Sequence, residues 1–415
     1  MNAPKDRVIY HIDCNAFYAT CECMEHPEWN EVPMAVAGNP EDRCGIILAK
    51  NERAKAYGVK TAETIFQAKR KCPDLLLVPP HHDRYMAVSH KVKGLFAEYT
   101  DQVESFGSDE AWLDVTGSLH YFKSTPAQLA NTIRERVKRE IGVTVSVGVS
   151  FNKVFAKLGS DLKKPDATTL ISRDNFRSRV WPLPADTLLF VGHNAAEHLR
   201  RYGIRTIGDV AQCSPAFLER TLGKGGEGLW ACANGYDMSP VRRIGEHDPA
   251  KSIGNGMTFR RDLVGWDEIK TGIIALSDEV ACRLRQEGLR CKSVQVSVRT
   301  PQMKLMTRQC QLSVPTRLQA DLVNSCMRLL YLHWRENAPV RALTVTAQQL
   351  VPEENLQEQV YLMDETGTKR KRLDHMEKAM QHLRTKYGSG CIAMGYMDHP
   401  ELGIHQSGFG KENLL

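Results

Sequence analysis

Strand-like and helix-like segments alternate through the first 170 residues, and this alternation constrains the fold more than any other feature of the chain. Residues 7–13 (RVIYHID) are β-rich and end on an acid, and residues 16–25 have helical spacing of apolar positions. IILAK (46–50) predicts a second apolar strand before the helical NERAKAYG, and residues 64–72 and 84–99 repeat the helical spacing. Residues 102–106 and 111–115 are short β-like runs around a Gly-Ser-Asp-Glu turn, the pattern of a hairpin. A charged amphipathic helix over 126–140 precedes the alternating strand VTVSVGVS (143–150). NKVFAKLGSDLKK then predicts a helix stopped by Pro165. Such alternation around one sheet is that of an α+β, ferredoxin-like core.

The pattern changes after about residue 171. Residues 182–235 are helical with glycines at the turns, and residues 238–250 are polar with Pro240 and Pro249, as expected of a linker. Strands and helices restart over 251–350, and the remainder is polar with one helix near 372–387. At 415 residues the chain is too long for one core, so several domains are expected. No run of about 18 apolar residues predicts a membrane span, and the N-terminus carries no secretory segment, so a cytoplasmic protein is expected. The twelve cysteines are scattered without a C-x-x-C, which favours buried free thiols over a zinc site. The net charge of +6 is mild, but Arg260, Arg261, Lys270, Arg283, Arg285, Arg290, Lys292, Arg299, Lys304 and Arg308 lie within one stretch. That spacing fits a phosphate-tracking surface as well as an ordinary solvated face.

Four constellations carry chemistry. Asp-Cys-Asn-Ala-Phe-Tyr (13–18) follows a strand directly, so Asp13 sits at a sheet edge where a cation can reach it. In Ser-Asp-Glu-Ala-Trp-Leu-Asp (108–114), Asp109 and Glu110 would face opposite sides of a regular strand, but a bent hairpin mouth can turn both into one site. Three carboxylates meeting from two strands call for cations, and two Mg²⁺ ions can clamp an in-line phosphoryl displacement. From spacing alone the signal is weak, since an acid pair beside a strand is more often a solvated turn. Lys153, Lys157 and Lys164 mark the helix 151–165 as point charges for phosphates or as a plain charged face. GIRTIGDV (203–210), behind FVGHN, can present backbone N–H groups to phosphates.

In this order and separation the four motifs resemble the Y-family DNA polymerases, nearest the DNA polymerase IV branch, over residues 7 to 350. The resemblance implies an α+β multidomain right hand. Its parts would be a ferredoxin-like palm (1–24 and 84–171), small fingers (25–83), a helix-hairpin-helix thumb (172–240), a linker (241–250) and an α/β little finger (251–350). It implies template-directed, error-prone synthesis that bypasses lesions, with primer-template DNA and dNTP as substrates and two Mg²⁺ ions, replaceable by Mn²⁺. Asp13 and Asp109 would bridge the ions, Glu110 would bind the catalytic one, and Cys14 would offer its main-chain carbonyl. The backbone of Ala16 and Phe17 would face the triphosphate, Tyr18 would be the steric gate against a ribose 2′-hydroxyl, and Lys164 would bind the triphosphate.

Where many members carry a Tyr and an Arg in the fingers, this chain has Glu52 and Lys55. Lys55 supplies charge but no bidentate fork, Glu52 cannot bind phosphate, and Lys50 is the available compensation. Ile46 and Leu48 are expected over the incoming base. Gln-Val-Tyr-Leu-Met (359–363) within the tail (351–415) is similar to the peptide that docks bacterial polymerases on the sliding clamp, with Gln359, Leu362 and Met363 as its anchors; an edge strand is the alternative. The expected form is a monomer, in the cytoplasm with the bacterial nucleoid. Two rival readings are a non-catalytic DNA-binding clamp accessory that kept the fold, and a palm-type nucleotidyl cyclase. The first predicts loss of the acids, and the second has no use for helix-hairpin-helix motifs.

Overall fold

A computed structural model describes residues 6–39, 43, 45–355, 365–388, 391–392 and 399–404. The chain divides into two compact units, one of residues 1–36 and 47–247 and the other of residues 37–46 and 248–415.

In the first unit the strands are β1 (Ile9–Cys14), β2 (Met34–Ala37), β3 (Ile47–Lys50), β4 (Leu76–Val78), β5 (Val103–Phe106), β6 (Glu110–Asp114), β7 (Val145–Ser150) and β8 (Thr168–Leu170). The helices preceding its helical region are α1 (Phe17–Glu25), α2 (Glu52–Ala56), α3 (Ile65–Lys71), α4 (His82–Ala97), α5 (Pro126–Ile141) and α6 (Lys153–Leu162). The strands form two sheets, not the one expected. Five of them run in the order β5-β6-β1-β7-β8, and IILAK contributes β3 to a separate sheet of order β3-β2-β4. Periodicity marks a strand but does not name its neighbour, which is why the split was hidden.

Strand β1 is the centre of the larger sheet, antiparallel to β6 on one edge and β7 on the other. Alternate residues of β1 serve opposite faces. Tyr10, Ile12 and Cys14 enter a core with Val88, Val92 and Phe96 of α4 and Leu129, Ile133 and Val137 of α5. Ile9 packs on the other side with Trp112 and Ala156 of α6. Helix α6 lies so close to the sheet that a Cβ on Gly148 would stand 1.8 Å from the Ala156 carbonyl oxygen, so only glycine fits there. Asn152 caps α6 by accepting from the Phe155 N–H, and Thr125 caps α5 in a reciprocal box with Gln128.

Residues 172–240 form α7 (Phe176–Val180), α8 (His193–Arg201), α9 (Ile207–Gln212), α10 (Pro215–Leu222) and α11 (Gly225–Ala233) around a core shared with Phe151 and with Val154, Phe155 and Leu158 of α6. The start of the expected linker lies on the edge of the larger sheet: Val241 is buried, the Arg242 N–H donates to Glu104 and the Ile244 N–H to the Asp101 carbonyl.

The second unit contains β9 (Ser252–Leu263), α12 (Trp266–Gln286), β10 (Leu289–Arg299), β11 (Leu305–Thr316), α13 (Gln319–His333), β12 (Val340–Pro352) and α14 (Glu365–Tyr387). Its four strands run antiparallel in the order β11-β10-β12-β9, with α12 and α13 packed on one face. Gln319 donates to the Ile274 carbonyl, and Leu402 and Ile404 close the same core.

Candidate active site

The register of β1 on β6 pairs Asp13 with Glu110, so their side chains project from the same face of the sheet. Helix α6 and the residues after it bring lysines to both. Lys164 Nζ lies 2.9 Å from Asp13 Oδ2 and 2.8 Å from Asp161 Oδ1, and Lys157 Nζ lies 2.7 Å from Glu110 Oε2. Burial raises the pKa of Asp13 against the pull of Lys164. Burial also opposes ionisation of Glu110, but contacts with His11 and Lys157 outweigh it and hold that carboxyl low. Two touching carboxylates thus share one site with unequal affinity for the proton.

Asp109 stands one residue before β6, and its carbonyl accepts the Cys14 N–H at 3.0 Å. Its carboxyl is raised by burial and then by the charge of Glu110. Helix α4 fixes the turn from which it springs: Ser89 donates to the Ser108 carbonyl and Lys93 to the Gly107 carbonyl. Gly107 has φ +80°, a left-handed conformation that suits glycine. The three acids converge in part. Asp13 and Glu110 meet and Asp109 lies beside them, while among the described residues no three acidic, histidine or cysteine side chains close into a ligand cage. The two lysines hold the outer oxygens of the pair, and like charge separates the third carboxylate.

The donor set is nonetheless suited to a hard divalent cation: every side-chain donor is a carboxylate oxygen, and Asp13 remains reluctant to ionise with one lysine already against it. Cys14 is buried, and its thiol pKa is raised well above the ordinary range by desolvation, so the side chain stays a neutral thiol. Ala16 adopts φ 49° and ψ 40° at the head of α1, where no side chain caps the helix. The first-turn N–H groups are therefore left without a side-chain acceptor, as at anion sites.

The ring of Tyr18 lies parallel to Tyr85, with centroids 4.2 Å apart and planes at 15°, and His82 meets it edge-on at 5.7 Å. The Tyr85 hydroxyl donates to Glu22, a fully buried carboxylate that also takes Arg84 at 2.6 Å and His81 Nδ1 at 2.9 Å. Sequence reasoning missed this support, although Glu22 sits one helical turn past Tyr18, where a charged residue on an apolar face is a signal. It also missed His11, two residues before Asp13 and so on the same face. His11 is fully buried, with Nδ1 2.8 Å from Ser160 Oγ and Nε2 3.3 Å from Glu110 Oε2.

The sequence matches the impB/mucB/samB family over residues 12–161 and that family's C-terminal domain over residues 250–360. It is 43% identical to a DNA polymerase IV of Acetivibrio thermocellus over 391 residues, covering 94% of this chain and 97% of the relative. The chain belongs to the impB/mucB/samB family of Y-family DNA polymerases. A DNA polymerase IV 2 of Bacillus subtilis is 38% identical over 353 residues, covering 83% of this chain and 85% of the relative. Among solved structures, a Y-family DNA polymerase chimera of Dbh and Dpo4 shares the fold, with a TM-score of 0.73 at 22% identity, covering 83% of this chain and 99% of that one. The architecture is that of the Y-family right hand.

Other expected Y-family positions fare differently. Lys153 is not free for phosphate: its Nζ lies 2.8 Å from both oxygens of Glu104 and 4.4 Å from the Trp112 ring centroid. Lys55 pairs with Glu52 at 3.2 Å, both half exposed, and Lys50 donates to Thr61. Leu48 packs with Ala16 and Tyr18 around Ala19 and Met34. Thr206 and Asp209 cap α9 reciprocally, with Asp209 taking the N–H groups of Arg205 and Thr206, so that turn is satisfied internally. Helix α8, which follows Gly192 of FVGHN, has no side-chain cap. In the basic stretch, Arg261 pairs with Glu268, Arg283 with Glu279, Arg285 with Glu377 and Arg290 with Glu353, so these four serve the module's own structure. Gln359, Leu362 and Met363 lie outside the described residues.

Proposed function

We propose that the chain is a template-directed DNA polymerase that extends a primer 3′ end with dNTPs, tolerates lesions in the template and is error-prone for that reason. The reading is carried by the meeting of Asp13 and Glu110 on adjacent central strands, beside Lys164 and the head of the helix that bears Tyr18. Asp13, Asp109 and Glu110, with the Cys14 carbonyl, hold divalent cations, Mg²⁺ foremost. When bound, these supply charge that stabilises the attacking and leaving oxygens of phosphoryl transfer. The protein's own groups position the reactants. Lys164 and the N–H groups of Ala16 and Phe17 bind the triphosphate, Tyr18 excludes a 2′-hydroxyl, and Lys55 adds a weaker contact from the fingers.

Domain boundaries follow as palm 1–24 and 84–171, fingers 25–83, thumb 172–240, linker 241–250 and little finger 251–350. The clamp peptide 359–363 recruits a sliding clamp, and the protein acts as a monomer on DNA at the nucleoid. Among the described residues no helix is long and apolar enough to cross a membrane. A non-catalytic accessory would have no need of the three acids that this chain retains.

The test is Mg²⁺-dependent primer extension on undamaged and lesion-bearing templates, with Asp109→Ala alongside. Loss of that carboxylate is expected to slow extension on the order of a thousandfold, about 4 kcal/mol of barrier. A variant within tenfold of the parent sinks the site assignment.

A further inference from the structure

Helix α14 separates its charges between two faces. The face toward α12 and α13 is fastened by ion pairs at one-turn intervals. Arg370 meets Asp321 at 2.8 Å, Asp374 meets Arg317 at 2.8 Å, Glu377 meets Arg285, and Arg384 meets Asp278 at 2.8 Å. Gln381 accepts from Arg285 along the same line. Both acidic residues whose side chains are described on this helix, Asp374 and Glu377, are spent here.

The flank beside that face is exposed and basic, and beyond it lie the exposed Met376 and Leu383. At 100° per residue, Lys371, His375, Lys378, His382 and Lys386 fall within a single arc, and Arg372 borders it. Lys378 shares Asp374 at 3.2 Å, but Lys371, Arg372 and Lys386 have no carboxylate within ion-pair distance among the described residues. An ordinary solvated helix mixes its signs through i, i+4 pairs, whereas this one sends its acids inward and leaves cations outward. From residue 371 to 386 the arc is about 22 Å long, at 1.5 Å per residue.

We propose that the outward face of α14 is a contact surface for the phosphate backbone of DNA. It lies on the helix layer of the module, apart from the open side of the sheet. The inference rests on the polymerase reading for its choice of polyanion. Cations spread along one side of a rod suit a linear polyanion better than a compact acidic protein. Because α14 is fastened by its inner side chains, the cations are held in place before DNA arrives.

The experiment compares the full chain with a K371Q/R372Q/K378Q/K386Q variant, titrating a fluorescent primer-template duplex over a range of salt. Neutralising four contacts is expected to raise the Kd roughly tenfold at 0.1 M salt and to flatten the slope of log K against log salt by about 2 to 4, at roughly 0.9 per contact. Extension rate at saturating DNA stays unchanged, and K371R/K378R/K386R binds as the parent does. A slope within 0.5 of the parent overturns the proposal. So does a loss confined to phosphatidylglycerol vesicles or to sliding-clamp affinity with DNA binding intact. Failure of the parent to extend primers would remove the polymerase reading instead, and the binding slopes would still judge the surface.

Discussion

Gly148→Ala tests whether the sheet and α6 act as one rigid frame for the carboxylates. The added Cβ would stand 1.8 Å from the Ala156 carbonyl oxygen and 2.5 Å from the Ser160 nitrogen, both backbone atoms of α6. Contact stops being repulsive at roughly 3.4 Å, so the helix has to move by about 1.5 Å. Nothing at the end of a flexible side chain can give way, which puts the cost at the upper end of overpacking, about 3 kcal/mol. For a unit of this size that is a fall in melting temperature of roughly 6–12 °C. The same shift displaces Lys157 from Glu110, and a misplacement of about 1 Å in a catalytic frame is worth roughly a hundredfold in rate. Thermal melting and single-nucleotide extension measure the two effects on one preparation. Gly94→Ala, where a Cβ meets nothing within 4 Å, is the control and is expected to be neutral or stabilising by about 0.5–1 kcal/mol. A Gly148→Ala protein melting within 2 °C of the parent and extending within threefold of its rate would refute the rigid-frame argument.

Three further outcomes are expected. Tyr18→Ala should lower the preference for dNTP over rNTP by about 10- to 200-fold in kcat/KM, and unchanged discrimination would rule out the gate assignment. Arg285→Met leaves Glu377 buried without its partner, which should weaken docking of α14 by about 3–5 kcal/mol and expose it to limited proteolysis; an intact helix under protease would count against this pairing. Asp374 is opposed by burial, but the hydrogen bond and charge of Arg317 pull its carboxyl from 3.8 down to about 2. Its stabilisation is therefore complete above about pH 4 and lost as the pH falls toward 2, so Asp374→Asn should cost about 1–2 kcal/mol at neutral pH, and the difference from the parent should vanish in acid.

The sequence made the larger elements legible because their patterns are long or fully apolar. Residues 9–14 and 145–150 are buried at every position, and α5 and α12 run for several turns between recognisable ends. The strands it did not reveal are short: MAVA, LLV and TTL carry too few residues to show a period. Among the site residues, Asp13, Asp109, Glu110, Tyr18 and Lys164 came from motifs and a family resemblance, not from spacing. Pairing was what sequence could not supply. Lys153 looked like a phosphate charge until Glu104, 49 positions away, was found beside it. Buried Glu22 and His11 were visible as polar residues on apolar faces, but their partners on α4 and α6 were not.

The acids of the site stand on elements of contrasting stiffness. Asp13 belongs to a strand hydrogen-bonded along both edges, so freeing it means opening the middle of the five-stranded sheet. Asp109 hangs from a turn held by two side chains of α4. One carboxylate is thus carried by the sheet itself, and the other by a turn that a helix outside the sheet holds in place.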